Sequence, residues 1–326
     1  KKSARTMMDF YRQLPSAKEM ASVAWAGRAK KGWYKRSANA LSEVFGYADA
    51  SRFAALLAAM SPQTGVPANL ENALNVWVNW NKAGRPQSRS EIKKIMGQSV
   101  QGDKGEDSVL DAWLNNSVYA LTNQDGEYLL SGPKVNSFME NLVKNVSEVT
   151  NDTWQANYMG IPQQVFAGAG RKIGDRKGVG MKGGGYLAAN AVTRQAAKIL
   201  SKRTGETWTP DEIQETVWSW ARTLKNAAKA ESKTAEKLLA EAGLTHDMIS
   251  DTEDFELLFL HDVYRNILEK GGYDEKIDKL RTIVSKEDRK NTPGRTDNYE
   301  DAGVSPEVIQ RDLRRAAKRL DRTKED

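Results

Sequence analysis

The sequence contains no cysteine and only two histidines, His246 and His261. The lack of cysteine excludes disulfides, zinc–thiolate sites, iron–sulfur clusters and cysteine nucleophiles. So few histidines argue against a histidine-rich metal site or a Ser-His-Asp triad. Any chemistry must therefore use Asp, Glu, Lys, Ser or Thr side chains or backbone groups, and neither a metal nor an organic cofactor is indicated.

The chain also lacks a long apolar run. No stretch of 18 apolar residues occurs, which excludes a transmembrane helix and a membrane partner. No charged-then-apolar leader is found at the start, so the pattern favours a cytoplasmic protein over a secreted one. With 326 residues, of which 39% are hydrophobic and 28% charged, the chain can form one large domain or two smaller ones.

Helical periodicity is the main signal that is present. Runs with a period of 3.6 residues are common and alternating runs are scarce, which predicts an all-α fold. Helices are expected over residues 49–60, 66–80, 134–145, 186–202, 210–229, 254–268 and 305–320. The first of these begins at Asp49, a candidate N-cap, whereas the polar segment 81–106 predicts a loop or irregular insert.

These elements predict three parts of the chain. A helical core is expected over residues 41–228, after a basic N-terminal extension over residues 1–40. A C-terminal helical extension is expected over residues 229–326. Its segment 285–303 is polar and poor in apolar residues, which is typical of a mobile linker.

The net charge of +6 is distributed unevenly along the chain. Residues 1–52 carry eleven Lys and Arg but only four Asp and Glu. Within them, residues 27–36 interleave cations with aromatic side chains. This pattern is typical of a surface that follows phosphates and stacks on bases or sugars, and a solvated helix face is the alternative.

A second basic cluster covers residues 167–185. It holds eight glycines and five Lys or Arg with one acid, and glycines let backbone N–H groups approach a phosphate closely. The segment is not a Walker A loop, because no Gly-Lys-Ser/Thr follows at the required spacing. It predicts a phosphate-binding loop, or alternatively an idle soluble one, and the candidate contacts are Arg171, Lys172, Lys177 and Lys182.

Three short segments contain the candidate catalytic residues. Ser61-Pro62-Gln63-Thr64 joins two predicted helices, Leu130-Ser131-Gly132-Pro133-Lys134 opens the next, and Thr150-Asn151-Asp152-Thr153-Trp154 opens another. Each has a structural explanation of its own: a helix–helix turn, a helix start, and an N-cap at Asp152 whose capping box Gln155 completes.

Taken together, these segments resemble the helix-hairpin-helix DNA glycosylase superfamily, which includes endonuclease III and the adenine glycosylases. Its members have a Ser-x-Gln or Gln-Gln-Thr turn after a helix and a Leu-x-Gly-x-Gly-x-Lys hairpin. A Val-Asp-Thr/Val-His turn then holds the catalytic Asp. Lys134 and Asp152 lie 18 residues apart, close to the superfamily separation. The resemblance covers roughly residues 40–225.

The chain departs from the superfamily pattern at several points. The hairpin lacks one glycine-containing step, Asn151 stands where a hydrophobic residue is usual, and Trp154 stands where a histidine is usual. The four-cysteine iron–sulfur loop is absent. The chain is therefore most similar to divergent members from phages and mobile elements, such as the α-glutamyl/putrescinyl thymine pyrophosphorylase family. This likeness implies the cytoplasm of a bacterial or phage-infected cell.

The resemblance implies a monomeric hydrolase that flips a modified or unusual base out of duplex DNA and excises it. Asp152 would stabilise positive charge on the sugar, and Lys134 could attack the same carbon and add a lyase step. Gln63 is the candidate wedge that fills the gap in the base stack. Thr64, Gly132 and Trp154 are the remaining candidate DNA or base contacts in these segments.

Two alternative functions also have DNA as the partner. In a base-hypermodifying transferase, Asp152 would deprotonate an amine that attacks an activated thymine 5-methylene group. Lys134, Arg171 or Lys172 would then hold the leaving pyrophosphate. The other alternative is a non-catalytic DNA-binding protein, against which the presence of both Lys134 and Asp152 argues.

Overall fold

The fold is helical throughout the part of the chain that the structure describes, and no strand occurs there. The structure is a computed structural model, and it describes residues 2–100, 109–124, 126, 128–166, 184–231, 308, 311–316 and 319. The all-α prediction is therefore confirmed. None of the described helices combines the length and apolar character that crossing a membrane requires.

Eleven helices lie between residues 2 and 231 of the described chain. They are α1 (Lys2–Gln13), α2 (Ala17–Ala26), α3 (Trp33–Phe45), α4 (Tyr47–Ala59), α5 (Val66–Lys82), α6 (Arg89–Ser99), α7 (Asp111–Thr122), α8 (Pro133–Leu142), α9 (Thr153–Met159), α10 (Gly184–Thr204) and α11 (Pro210–Glu231). The described residues 308, 311–316 and 319 are helical as well.

Most of the predicted helices are confirmed. The predictions over residues 49–60, 66–80, 134–145, 186–202 and 210–229 correspond to α4, α5, α8, α10 and α11. Helix 305–320 is only partly described, as residues 308, 311–316 and 319, whereas helix 254–268 and the linker 285–303 lie outside the described residues.

Two local predictions are wrong. Segment 81–106 contains α6, which Ser88 caps by accepting a hydrogen bond from the backbone N–H of Glu91 (3.3 Å). Asp49 is not an N-cap, because α4 begins earlier, after Gly46. Its carboxylate instead pairs with Arg52 (3.1 Å) and Arg85 (2.7 Å).

The first of two hydrophobic clusters surrounds α4. This helix is buried on nearly all sides because its residues 53–59 are all apolar, and it packs against α3, α5, α7 and α8. Stacked and edge-on rings of Phe45, Phe53 and Trp77 fill the space between α3, α4 and α5. The cluster spans residues 34–142 and forms one half of the described part of the molecule.

The second cluster surrounds α2, which lies in the segment expected to be an extension. Met20, Ala21, Val23 and Ala24 of α2 are fully buried against α10 and α11. Residues from the end of α9 to α11 complete this cluster. The boundary proposed near residue 40 therefore does not separate the N-terminal segment from the core, because α2 is the central helix of this half.

The described part of the C-terminal segment packs on the second cluster. Leu313 and Ala316 are fully buried in it. The buried Asp312 accepts a hydrogen bond from Ser22 of α2 (2.9 Å), and Arg319 pairs with Glu19 (3.2 Å). These described residues thus belong to the core, at a sequence distance of about three hundred residues from α2.

Gly27, at the end of α2, permits the close approach of α2 to α11. A Cβ atom at this position would lie 2.5 Å from the backbone carbonyl oxygen of Thr216. We expect Gly27→Ala to lower the free energy of unfolding by about 1–3 kcal/mol, because the helices must move apart. Chemical denaturation measures this change, and an unaltered midpoint would contradict the contact.

Asp211 should make stability depend on pH. Burial, with a smaller contribution from Glu212, raises its pKa from 3.8 to about 6. The folded state therefore holds this proton up to a higher pH than the unfolded state, and stability declines as pH rises through that window. Between pH 4 and pH 7, the free energy of unfolding of the wild type should fall by up to about 3 kcal/mol more than that of Asp211→Asn. Denaturation at both pH values tests this, and a constant difference would refute it.

Candidate active site

A cavity of about 300 Å³ lies where the two hydrophobic clusters meet. Its apolar and aromatic wall comes mainly from α3, α4, α5, α8 and α11, and ionisable side chains enter it from α8, α11 and the start of α9. The ionisable and aromatic lining residues are Trp33, Tyr34, Lys134, Phe138, Asp152, Trp154, Glu215, Trp218 and Arg222.

The turn between α4 and α5 forms one edge of the cavity. Ser61 and Thr64 line it, and the indole of Trp113 fixes the turn by donating to the carbonyl oxygen of Pro62 (2.9 Å). Gln63 adopts a left-handed backbone conformation (φ 62°) and is exposed. The tight turn predicted here is therefore present, and it presents Gln63 to solvent beside the cavity.

Lys134 reaches the cavity from the first turn of α8. Gly132 precedes this helix with a φ of 99°, a conformation that glycine adopts readily, and Pro133 occupies the first helical position. The ammonium group of Lys134 donates to the hydroxyl of Ser61 (2.7 Å) and lies 5.5 Å from the centre of the Phe138 ring. Burial lowers the pKa of Lys134, and the negative charge of Asp152 partly opposes this shift.

Asp152 stands at the N-terminus of α9, as the N-cap prediction requires. One carboxylate oxygen accepts hydrogen bonds from the backbone N–H groups of Trp154 (2.9 Å) and Gln155 (3.2 Å). The other accepts one from the indole of Trp218 on α11 (2.8 Å). Burial raises the pKa of Asp152, whereas the charge of Lys134 and the three hydrogen bonds act in the opposite direction.

The capping box expected at Asp152 is only half formed. Gln155 is fully buried and its side chain makes no hydrogen bond, so it does not return to Asp152. The backbone before Asp152 is instead held by Tyr186, whose hydroxyl accepts from the N–H of Asn151 (3.0 Å) and donates to the carbonyl of Val149 (2.7 Å). A buried polar clamp from Tyr186 thus fixes the backbone just before Asp152.

Glu215 is a second buried carboxyl group in the cavity wall, and the sequence patterns did not identify it. It accepts hydrogen bonds from the backbone N–H groups of Gly32 and Tyr34 at the start of α3, the second at 2.8 Å. Burial, together with the nearby Asp211, raises its pKa well above the ordinary value. Its local sequence gave no signal, because its partners lie more than 180 residues away.

Cations of the basic stretch 27–36 make contacts within the protein more than they form a phosphate-binding surface. Arg28 is buried, lies 4.4 Å from the Trp25 ring centre and donates to the Trp25 carbonyl (3.0 Å). Lys31 lies 4.4 Å from the ring centre of Trp208. Arg36 is buried and donates to the carbonyl of Lys31 (2.8 Å). Because these three cations make internal contacts, they do not contribute to the phosphate-binding surface that the sequence predicts.

The remaining predicted residues divide into two groups. Thr64 and Trp154 line the cavity, and the exposed Gly132 lies two residues before Lys134. The proposed phosphate contacts Arg171, Lys172, Lys177 and Lys182 lie outside the described residues. Among the described side chains, no group of three or more His, Asp or Glu is placed to hold a metal ion.

Over the described residues, fold and site together define a helical protein whose aromatic-walled cavity contains a lysine and two carboxyl groups. The chain belongs to a family of unknown function, DUF7178, whose model matches residues 2–226. That match includes every helix from α1 to α10 and most of α11, and therefore the whole cavity wall. The comparisons with curated proteins and with solved structures gave no match.

The indole of Trp218 should help to keep Asp152 ionised. We expect Trp218→Phe to raise the pKa of Asp152 further, since the hydrogen bond to its carboxylate is lost while burial remains. Carbon-13 NMR titration of the side-chain carboxyl measures this. Trp154→Phe is the matched control, because the Trp154 backbone N–H still donates after the ring is changed. Equal titration of Asp152 in both variants would contradict the assignment.

Proposed function

We propose that the chain is a DNA glycosylase that excises a modified or unusual base, with Asp152 as its catalytic carboxylate. The observation that carries this proposal is the meeting of three distant segments at one cavity. Ser61 and Thr64, then Lys134, then Asp152 and Trp154 all line it. These are the segments in which the sequence resembles helix-hairpin-helix glycosylases.

The cavity suits a single flat base. Its volume lies at the lower end of the range for small-molecule sites, which is about 300–1,000 Å³. Trp33, Phe138, Trp154 and Trp218 provide rings on which a flipped base can stack. The exposed Gln63 beside the cavity is suited to enter the space that the base leaves in the duplex.

Asp152 is suited to stabilise positive charge. Breaking an N-glycosidic bond builds such charge on the sugar, and a fixed carboxylate in a water-poor site lowers the energy of that transition state. Hydrogen bonds from Trp154, Gln155 and Trp218 already orient the carboxylate, so little reorganisation is needed during the reaction.

Lys134 is suited to a covalent step. Burial lowers its pKa, which favours the neutral amine that can act as a nucleophile, and Ser61 orients the group. The amine would form a bond to C1′ as the bond to the base breaks, with an amine proton passing to the departing base. Opening of the sugar ring, with a proton passing from water to O4′, then gives a protonated Schiff base. Loss of a C2′ proton to water expels the 3′ phosphate and so breaks the C3′–O bond of the strand.

The experiment is incubation of the full chain with duplex DNAs that carry ordinary or phage-modified bases, followed by mass spectrometry of released bases and strands. A freed base and an abasic strand are expected. Asp152→Asn should reduce excision about 100-fold or more, since asparagine keeps the N-cap but not the charge. Lys134→Gln should abolish the adduct that borohydride traps.

Matched controls exist on the surface. Asp111 is an exposed carboxylate in the first turn of α7, and Lys198 is an exposed lysine of α10. Asp111→Asn and Lys198→Gln should leave excision unchanged. An intact strand that gains mass only with an amine donor and an activated thymine would replace excision by base hypermodification. No change in any DNA would contradict both enzymatic assignments and leave DNA binding as the remaining candidate.

A further inference from the structure

The face of α11 that lines the cavity is polar. Four of its residues line the cavity at a spacing of i, i+3, i+4 and i+7, so they share one face of the helix. They are Glu215, Trp218, Ser219 and Arg222. A helix face that only packs against a core is apolar as a rule, whereas this one has two ionisable side chains, a hydroxyl and an indole. Its composition therefore indicates a role beyond packing.

The first two of these residues already have a task. Glu215 accepts hydrogen bonds from the start of α3, and the indole of Trp218 donates to Asp152. Ser219 and Arg222, on the next turn of the helix, have no such task in the site. Both are half-buried, so a ligand in the cavity can reach them. Among the described residues, the Ser219 hydroxyl has no hydrogen-bond partner.

Arg222 is a cation that the Trp218 ring holds at the cavity. Its guanidinium carbon lies 5.1 Å from the centre of that ring. Burial lowers the pKa of Arg222, and the negative charge of Asp152 opposes this shift. The guanidinium stays charged at physiological pH, and its five N–H donors form a planar fork that can contact a ring and an oxyanion together. A negatively charged ligand group would compensate for the hydration that burial removes.

We propose that Arg222 and Ser219 bind a phosphate group of the nucleotide whose base enters the cavity. This inference rests on the proposed function and adds a phosphate subsite to it. An arginine fork binds two phosphate oxygens, and a serine hydroxyl is a common third donor. The base would stack on the aromatic wall while its phosphate lies against α11. The phosphate can belong to a DNA strand or to a free nucleotide, and the contact chemistry is the same.

A phosphate contact at this place would also serve the reaction. A phosphate brings negative charge near Asp152, and Arg222 neutralises that charge at its source. Binding a part of the substrate that does not react can hold the reacting carbon in position, which lowers the entropic cost of the transition state. In this arrangement the aromatic rings hold the base, Arg222 and Ser219 hold the phosphate, and the sugar between them is directed towards Asp152.

The test compares ligands that share a nucleoside but differ in phosphate. Ligand-observed NMR on the full chain measures the binding of thymidine against its 5′- and 3′-monophosphates, and of deoxyadenosine against the same two derivatives. We expect at least one monophosphate of each nucleoside to bind about tenfold more tightly than the nucleoside, which is the effect of a hydrogen bond to a charged group. Equal binding within both sets, or no binding of any ligand, would overturn the proposal.

Variants of α11 assign the effect to the two residues. Arg222→Gln should remove the difference between nucleotide and nucleoside and leave nucleoside binding nearly unchanged. Arg89→Gln is the matched control, because Arg89 is an exposed arginine of α6 that does not line the cavity. Equal effects of these two variants would refute the role of Arg222.

Ser219→Ala keeps the proposal testable if Arg222→Gln fails to fold. Since the hydroxyl has no partner among the described residues, the melting temperature should not change, while the nucleotide binds several-fold more weakly and the nucleoside does not. Unaltered nucleotide binding in this variant would refute the contribution of Ser219.

A thymidine dinucleotide and its neutral methylphosphonate analogue distinguish the two sources of phosphate. A wild-type preference for the charged dinucleotide that Arg222→Gln removes would assign the subsite to a strand phosphate. A preference confined to the monophosphates would assign it to a free nucleotide. Binding and excision are separate measurements. Phosphate-dependent binding without excision from any DNA would refute the proposed function alone, whereas excision without phosphate-dependent binding would refute only the subsite.

Discussion

The buried carboxyl group of Glu215 is the contact on which the arrangement of the two halves depends. It lies on α11 in the second hydrophobic half and accepts hydrogen bonds from the first amide groups of α3 in the other half. The first N–H groups of a helix have no partner within the helix, so an acceptor must be supplied from elsewhere. Here a side chain from across the molecule supplies it. The start of α3, with Trp33 and Tyr34 in the cavity wall, is thereby fixed against α11.

Glu215 and Asp152 thus share one cavity but differ in their hydrogen bonds and neighbouring charges. Glu215 accepts two backbone hydrogen bonds, and its strongest neighbouring charge is another acid, Asp211, so burial prevails and favours its protonated form. Asp152 has three donors and the nearby Lys134, which favour its ionised form against the same burial. The pKa values of both acids are raised, but that of Glu215 is raised well above its ordinary value. Two acids with different pKa values in one site are typical of groups with separate tasks. In this cavity, Glu215 holds the start of α3 in the wall, and Asp152 is the candidate catalytic carboxylate.

Much of the fold could be predicted from local patterns, and the failures have physical causes. Helices such as α4 and α11 show apolar runs or a Thr209-Pro210 start, and these signals act within one turn of the chain. Helix α2 was missed because its small residues are buried on every side, which leaves no polar face to mark it. Cavity residues were predictable where a turn carries its own motif, as at Thr64, Lys134 and Asp152. The cavity residue Glu215 was not predictable, since its environment is formed only by tertiary packing.

The position of the cavity between the two halves has a mechanical consequence. Lys134 and its partner Ser61 are attached to the first half, whereas Asp152 and its partner Trp218 are attached to α9 and α11, which pack in the second. Lys134 and Asp152 therefore lie on opposite halves, and each is oriented by hydrogen bonds with groups of its own half. The distance between Lys134 and Asp152 therefore depends on how closely the two halves pack against each other. A small hinge motion between the two halves would change the distance between Lys134 and Asp152, and with it the electrostatic interaction between their charges.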